Sequence, residues 1–497
     1  MTEFVWTFED SNGIGRTGEV WNQEGRKFIP FKVPDFNFDL KKHNIDFLNI
    51  KVCQTHGCKS SDFYPRFFEY CPSCGANLIP VVASFTHPWA SPYGNPDGSR
   101  SMPRLKWNLK ELGKINELTK SSSFLPVVFQ LPEGGGRFTF LITEGLKSLI
   151  ALDRARDKTR VFSYSTASKR WVLHNASLPG FSGPPWAWSA ATAKNGFAFP
   201  SDEGPCWVTL SVSGGEFIHN FTLKHNGKCK GIGGVAVWRD IALLPVECEN
   251  NLAIAWRHCE PDAIWEIAPL VNQPAVEVKD AFLGAAALDG MDVFWSSKGG
   301  YLSAHIEKGM PQAKWHKWRE NIDGYPQFMP YRDRYNVLWQ LCFHMNSYCF
   351  NRLSHEGAEE QRKVDGPHFA VGNKSFCDDK VYDEPWHEES QDYYTGIGQE
   401  YFIQPLFELS NGLLYVVINK SIRIQSYIDP KNNDKYPSEL AVRGKEVGDN
   451  RLLHGFSISS PWDGEAFLFN GGLYLYLENQ NKCWFWPNTY EEIEVTD

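Results

Sequence analysis

The chain has 497 residues, of which 42% are hydrophobic and 22% are charged. These proportions exclude a mostly disordered chain, and the length predicts either several domains or a large repeat architecture with an accessory module. The formal net charge of −9 argues against binding nucleic acid through overall charge. The 19 Trp, 19 Tyr and 34 Phe residues favour β structure.

The first ten residues and the hydropathy of the chain set an expectation for its location. Residues 1–10 are mixed and acidic, unlike a secretory signal, and no stretch approaches the ~20 apolar residues of a membrane helix. We therefore expect a cytoplasmic protein that does not enter a membrane.

Residues 1–46 are predicted to form an N-terminal β segment. Residues 4–8 are expected to pair with residues 18–21 in a hairpin, because Asn12, Gly13 and Gly15 supply turn residues between them. A third strand is predicted at residues 27–33.

Four cysteines in residues 47–81 have the spacing of a metal site. They are Cys53, Cys58, Cys71 and Cys74. Zn²⁺ prefers four thiolate or imidazole ligands in a tetrahedron, and short turns between paired cysteines bring two sulfurs to one ion. His56 is an alternative to Cys58 as the fourth ligand. Redox-active or disulfide-bonded cysteines are a further alternative, although thiols stay reduced in a cytoplasmic chain.

This segment resembles a zinc ribbon. The resemblance implies two cysteine-bearing turns on β-hairpins, and strands are expected at residues 67–70 and 77–79. The implied cofactor is a structural Zn²⁺ ion. Zinc ribbons bind proteins and nucleic acids in unrelated systems, so the resemblance does not choose between those partners.

Residues 82–122 are predicted to form a linker with one short helix. Pro, Gly, Ser and Asn dominate residues 88–103, and apolar residues at helical spacing predict the helix over residues 109–118.

Residues 123–497 carry a weak repeat. Each copy has a strand rich in small residues, a turn, an aromatic or aliphatic strand, a second turn and a further strand. The best copies cover residues 190–212, 233–256 and 284–304, an early copy covers 138–152, and poorer copies start near residues 326, 405 and 455. Because the copies start about 40 to 60 residues apart, the length of one four-stranded blade, we predict an all-β fold: a β-propeller of about seven blades with an N-terminal zinc ribbon. A pair of β-sandwiches is the alternative.

Three further expectations concern this region. The acidic segment 354–400 is predicted to be a solvated insertion between blades. Residues 4–8 are expected to close the ring by pairing near residues 473–477. Buried free thiols are expected at the other eight cysteines, which are Cys206, Cys229, Cys248, Cys259, Cys342, Cys349, Cys377 and Cys483.

One short run interleaves cations with indoles and is a candidate nucleic-acid contact. Its residues are Lys314, Trp315, Lys317, Trp318 and Arg319. Indoles stack on bases while cations neutralise phosphates. The same alternation describes an outer strand whose Trp side chains face the next blade while Lys faces water.

The sequence favours a non-catalytic scaffold or adaptor that docks protein partners through propeller faces and a structural zinc ribbon. A nucleic-acid-binding protein that uses the ribbon and the basic-aromatic run is one alternative. A propeller hydrolase that acts on a glycan is another, with paired carboxylates at the channel mouth. The architecture is also similar to that of the propeller proteins encoded beside MoxR-type AAA+ ATPases and von Willebrand factor A proteins in bacterial conflict systems. That resemblance implies an ATPase or its adaptor as the partner.

Overall fold

The structure is a computed structural model, and it divides the chain into two compact units, Met1–Ala83 and Ser84–Asp497. It describes residues 15–22, 27–34, 50–52, 63–65, 79–80, 101–102, 105–108, 127–143, 148–154, 157–182, 190–193, 196–210, 217–220, 229–238, 240–272, 287–289, 291–307, 309–318, 325–326, 330–333, 337–344, 347–357, 360–371, 374–377, 380–382, 385–386, 391–394, 403–409, 411–417, 421–426, 450–454 and 464–492.

The first unit contains two small antiparallel sheets in its described part. Strands β1 (Gly15–Asn22) and β2 (Lys27–Pro34) form a hairpin, so the strand predicted at residues 27–33 is present. The second sheet has the order β4-β3-β5, from β3 (Ile50–Val52), β4 (Phe63–Pro65) and β5 (Ile79–Pro80). The strands predicted at residues 4–8 and 67–70 lie outside the described residues.

The described part of the second unit contains strands and one 3-10 turn at Glu478–Gln480. Eight antiparallel sheets of four or five strands follow one another along the chain, and we number them blades 1 to 8. Blade 1 contains β9 (Phe138–Thr143), β10 (Ser148–Asp153), β11 (Lys158–Ser165) and β12 (Arg170–Pro179). Blade 2 contains β13 (Ala191–Ala193), β14 (Gly196–Ser201), β15 (Gly204–Leu210) and β16 (Phe217–Asn220). Blade 3 contains β17 (Cys229–Gly231), β18 (Ala236–Trp238), β19 (Ile241–Cys248), β20 (Asn251–His258) and β21 (Glu266–Pro269).

The remaining blades follow the same plan. Blade 4 contains β22 (Ala287–Asp289), β23 (Asp292–Ser297), β24 (Gly300–Glu307) and β25 (Met310–Lys317). Blade 5 contains β26 (Tyr325–Pro326), β27 (Tyr331–Arg332), β28 (Leu338–His344), β29 (Ser347–Arg352) and β30 (Gln361–Val364). Blade 6 contains β31 (Phe369–Val371), β32 (Lys374–Cys377), β33 (Lys380–Tyr382) and β34 (Gln391–Tyr394). Blade 7 contains β35 (Ile403–Leu409), β36 (Gly412–Val417), β37 (Ser421–Ser426) and β38 (Asn450–His454). Blade 8 contains β39 (Gly464–Phe469), β40 (Gly472–Leu477) and β41 (Lys482–Trp486).

The blades are arranged as a propeller. Strands at one edge of neighbouring blades contact one another: β9 contacts β13, β13 contacts β18 and β18 contacts β22, while β27 contacts β31 and β31 contacts β35. These strands are therefore the innermost ones. Outer strands of neighbouring blades also meet, as β12 meets β16 and β21 meets β25. The small side chains predicted for the inner strands are buried at Ala191, Ala236 and Ala287, where they let the blades pack closely.

A strand from before the repeat closes the ring. Strand β8 (Val127–Phe129) pairs antiparallel with β41 and supplies the outer strand of blade 8. The closure predicted through pairing of residues 4–8 near residues 473–477 is wrong as stated. Strand β40 already pairs with β39 on one edge and with β41 on the other, and therefore offers no free edge.

The blade number differs from the sequence prediction because of the acidic segment. Eight blades are present among the described residues where about seven were predicted. Segment 354–400, predicted to be a solvated insertion, supplies β30 and the whole of blade 6. Phe376 and Val371 of that blade are buried, and Trp386 packs against Tyr331, Trp339 and Phe350. A few apolar side chains are enough to bury a short sheet that is covered by neighbours on both faces.

Part of the predicted linker is also built into the core. Strand β6 (Ser101–Met102) adds to β35 in parallel, and β7 (Leu105–Trp107) pairs with β42 (Tyr490–Glu492). The Asn411 side chain accepts a hydrogen bond from the Trp107 backbone N–H at 2.6 Å and donates one to the Trp107 carbonyl at 2.8 Å. The Asn411 side-chain amide thus makes the two hydrogen bonds that a neighbouring strand would otherwise make with the Trp107 backbone. The helix predicted over residues 109–118 lies outside the described residues.

Two cysteines expected to be free thiols are paired. Cys229 and Cys248 lie opposite each other on β17 and β19, with Cα atoms 4.3 Å apart, and form a disulfide. This Cα separation is typical of a directly opposed antiparallel pair. Cys206, Cys259, Cys342 and Cys483 are buried free thiols as expected, whereas Cys349 and Cys377 are half-buried and form no disulfide. Among the described residues, no helix is long and apolar enough to span a membrane.

Candidate functional site

The predicted zinc ligands lie outside the described residues, as does the alternative ligand His56. The strands around them are described. Val52, the last residue of β3, directly precedes Cys53, and β4 lies between the two cysteine pairs. Strand β5 follows the second pair by five residues. The three strands that flank the cysteines belong to one sheet.

The basic-aromatic run is the end of the outer strand of blade 4. Lys314, Trp315 and Lys317 lie on β25, Trp318 follows it, and Arg319 lies outside the described residues. Trp318 is only 3% exposed and donates from Nε1 to the Ser297 carbonyl at 2.9 Å. It packs with Tyr301 and Leu338 between blades 4 and 5.

The second indole of this run also packs within the fold. Trp315 is partly buried against the core between blades 3 and 4. Its ring covers Gly300 on the neighbouring strand, where an added Cβ would lie 2.6 Å from Trp315 Cζ2. The described part of the run is an outer strand with packed indoles and with Lys317 exposed, and the nucleic-acid contact stays a prediction.

A cluster of three histidines lies beside this run, in the crevice between blades 4 and 5. His305 Nδ1 is 2.6 Å from Asp292 Oδ1 on the adjacent strand. His316 Nε2 and His355 Nδ1 are 2.8 Å and 2.9 Å from the same Ser303 hydroxyl oxygen. Strands β23, β24 and β25 supply four of these residues, and the turn between β29 and β30 supplies His355.

The hydrogen bonds fix proton positions in the cluster. Because an ionised carboxylate only accepts, His305 donates from Nδ1 to Asp292. Ser303 has one hydroxyl proton, so it donates to one histidine and accepts from the other. His355 and His316 bind the same hydroxyl with opposite roles, and the whole cluster is a connected network across two blades.

The environment keeps two of these rings neutral near pH 7. Burial, and then the charge of Lys314, lowers the pKa of His316 to about 4. The same two causes lower the pKa of His355 to about 3. The Asp292 hydrogen bond instead raises the pKa of His305. The cationic form is thus favoured only for the ring that lies next to a carboxylate.

Ser303 is not placed to act as a nucleophile in this arrangement, since its side chain is fully buried. The described residues also contain no group of three or more His, Cys, Asp or Glu side chains arranged to hold a metal ion.

A second polar cluster lies between blades 8 and 1. Glu478 forms ion pairs with Arg154 at 2.7 Å and with Arg137 at 3.4 Å. Glu465, on the innermost strand of blade 8, accepts a long hydrogen bond from the Phe140 N–H at 3.4 Å through Oε1, while its buried Oε2 has no partner. Burial raises the pKa of Glu465 to about 8. This carboxyl is enclosed by the neighbouring blade rather than offered to a substrate.

A buried arginine joins blades 2 and 3. Arg257 is fully buried, and its guanidinium lies over the rings of Trp207 and Trp265 at 4.7 and 5.7 Å. It donates to the carbonyls of His258 and Glu260. Burial lowers the pKa of Arg257 to about 10. Arg257 of blade 3 therefore connects the two blades through its contact with the Trp207 ring of blade 2.

Exposed apolar side chains gather where the ring closes. Val127 and Val128 on β8 are 57% and 55% exposed, and Val172 and Leu173 on β12 are 48% and 49% exposed. The Trp171 indole N–H donates to the Gln130 carbonyl at 2.7 Å and so joins the two strands. We call these four residues the seam patch. A smaller pair, Val271 and Met310, lies on the rim between blades 3 and 4.

The sequence did not indicate the histidine cluster, the Glu465 carboxyl or the seam patch. The histidines lie up to 50 residues apart without local spacing, and the seam patch joins strands that lie more than 40 residues apart. The period-2 alternation of β24, with Ser303 and His305 on one face, was the only local signal.

No protein-family profile matches the chain, and no curated protein does. Solved structures match at low similarity. The Dos1 propeller is 8% identical, with coverage of 75% of this chain and 98% of that one and a TM-score of 0.44. The Cps50 (Swd1) β-propeller domain of Myceliophteria thermophila is 8% identical, covering 73% and 99%, with a TM-score of 0.35. A europium-containing methanol dehydrogenase is 9% identical, covering 83% and 87%, with a TM-score of 0.38. At these values the likenesses carry no functional argument, and the propeller fold rests on the order and contacts of the chain's own sheets.

Proposed function

We propose that the protein is a non-catalytic scaffold that docks a protein partner on the seam patch. The observation that carries this proposal is the exposure of four large apolar side chains on two adjoining outer strands. Burying apolar surface contributes about 25 cal/mol per Å², so a partner that covers these side chains gains affinity without any rearrangement of the ring. Exposed apolar side chains on outer strands are typical of interaction sites.

The chemistry of the patch favours a protein over a nucleic acid. Its four side chains are uncharged, whereas binding to phosphates depends on cations. Trp318 is buried and Trp315 is partly buried within the blades, which reduces the indole surface available for stacking on a single strand.

The four ribbon cysteines complete the proposal. Cys53, Cys58, Cys71 and Cys74 would hold one structural Zn²⁺, which fixes the turns of the first unit as a second, independent docking element in the cytoplasm. Val52, at the end of β3, would fix the direction of the first cysteine. A MoxR-type ATPase or its von Willebrand factor A adaptor is the partner class suggested by the resemblance of the architecture, and it is the first to test.

The experiment is a native pull-down of the tagged full chain from its own cells, with and without nuclease. Val128→Asp and Leu173→Asp should each reduce recovery of the stoichiometric partner at least tenfold, because a buried carboxylate at an apolar contact is costly. Val271→Asp is the matched control, because Val271 is an exposed apolar residue outside the seam patch, and this variant should retain the partner. Loss of the partner on nuclease treatment, or equal recovery with all three variants, would refute the proposal.

A further inference from the structure

We propose that His305 and His355 together chelate one divalent transition-metal ion, such as Ni²⁺ or Zn²⁺, in the crevice between blades 4 and 5. This site is separate from the ribbon cysteines and from the seam patch. Two protein nitrogens supply the ligands, and water fills the other positions.

The two rings are held so that the same nitrogen of each is available. Asp292 engages Nδ1 of His305, and Ser303 engages Nδ1 of His355. Within the described residues neither Nε2 atom makes a hydrogen bond, and neither is among the fully buried polar atoms without a partner. His305 is partly exposed, whereas His355 is 5% exposed. A carboxylate on the far nitrogen of an imidazole is the usual support of a metal-binding histidine.

The separation of the rings suits one shared ion. Their centroids are 5.2 Å apart. Two imidazoles that bind one ion at about 2.0–2.1 Å with a tetrahedral angle have centroids about 5 Å apart. His316 is a less suitable partner, because its ring is 6.3 Å from His355 and its Nε2 is held by Ser303.

The charges around the crevice favour a cation. Asp292, Glu307 and Glu356 act electrostatically on His305, whereas Lys314 is the one lysine that acts on the described histidines of the cluster. Glu356 adjoins His355 in the chain, is exposed and acts electrostatically on His305, so its charge also favours a cation there.

Because the ligands come from two blades, a bound ion would cross-link them. His305 belongs to the outer half of blade 4, and His355 belongs to the turn between β29 and β30 of blade 5. An ion that binds only the folded protein raises its melting temperature. Imidazole nitrogens suit Ni²⁺, Cu²⁺ and Zn²⁺ rather than Mg²⁺ or Ca²⁺.

The test is equilibrium dialysis of the full chain against NiCl₂, with nickel and zinc counted per chain, and melting curves with and without nickel. The wild type should bind one nickel more than His305→Gln or His355→Gln, and nickel should raise its melting temperature but not theirs. Ser303→Ala, which frees the ring of His355, should weaken nickel binding several-fold. His258→Gln is the matched control, because His258 also has an aspartate partner, Asp240, and among the described residues its ring contacts Trp256 rather than a second histidine.

Two outcomes would overturn the proposal: retention of the extra nickel by His305→Gln, or its loss in His258→Gln to the same extent. His305 is only partly buried, so its variant should fold and decide the matter even if the His355 variant does not.

Discussion

Glu465 lies on the innermost strand of blade 8, and blade 1 encloses its carboxyl group. One oxygen accepts a 3.4 Å hydrogen bond from Phe140, and the other has no partner. Removal from water raises the pKa of this carboxyl to about 8, although the charge of Arg154 acts in the opposite direction. Near pH 7 the group is therefore mainly neutral in the folded protein and ionised in the unfolded one.

This difference makes stability depend on pH. Below the unfolded pKa of 4.5 both states hold the proton, and stability is unaffected. As the pH rises from there towards 8, only the unfolded state loses the proton, so the free energy of unfolding falls. Glu465→Gln should therefore stabilise the protein by on the order of 2 kcal/mol at pH 7.5 and by much less at pH 4.5.

Urea unfolding at the two pH values checks this prediction. The exposed Glu133→Gln is the control and should leave both midpoints unchanged. An equal effect of Glu465→Gln at both pH values would show that the carboxyl is not held neutral.

At the scale of single residues, the sequence could not identify the polar network of Ser303, His305, His316 and His355. Each residue is ordinary in its local context, and the network forms only because β-strand register and the packing of blade 5 bring them together. Long-range placement of this kind has no signature in a single sequence.

At the scale of elements, strand β8 is short but well anchored. Phe129, 7% exposed, lies 4.9 Å from Tyr474 and 5.0 Å from Tyr164 between ring centroids, so it joins blade 8 to blade 1. Its chain neighbour Val128, which lies on the opposite face of the pleat, is exposed. The strand therefore closes the ring with one side of its pleat and offers apolar surface with the other.

Phe129→Ala should consequently destabilise the second unit by about 3 kcal/mol, the usual loss for a large buried aromatic. Val127→Ala, on the same strand, should cost less than about 0.5 kcal/mol. Thermal or urea unfolding measures both, and equal effects of the two variants would show that β8 does not hold the ring.

Much of the element pattern was predictable. The first strands of blades 1 to 5 and 7 fall where the repeat copies were placed, whereas blade 8 begins nine residues after the start of its copy. Small inner residues and tight turns mark the best of these copies. The Asn470-Gly471 turn between β39 and β40 is one such mark, since both residues have positive φ and form a two-residue hairpin loop. Blade 6 was missed because its strands are three or four residues long and lie among acidic residues.

At the scale of the whole molecule, the chain separates into two compact units. The ribbon cysteines belong to the first, and the eight blades belong to the second. If each unit has its own core, changes to the metal site should affect only the first unit.

Cys71→Ser and Cys74→Ser should each lower the zinc content by about one ion per chain, because a tetrahedral thiolate site needs all four ligands. The melting transition of the propeller should not change. Zinc analysis and calorimetry measure the two effects, with Cys349→Ser as the control. Unchanged zinc in both ribbon variants would contradict the proposed ligand set.

The central claim is that the seam patch binds a protein, and site-specific photo-crosslinking in the native cells tests it most directly. A photoreactive side chain in place of Val128 or Leu173 should give one nuclease-resistant crosslinked protein, the same from both positions. The same group in place of Val271 should not give that product. Crosslinks to nucleic acid, or the same product from all three positions, would contradict docking at the seam.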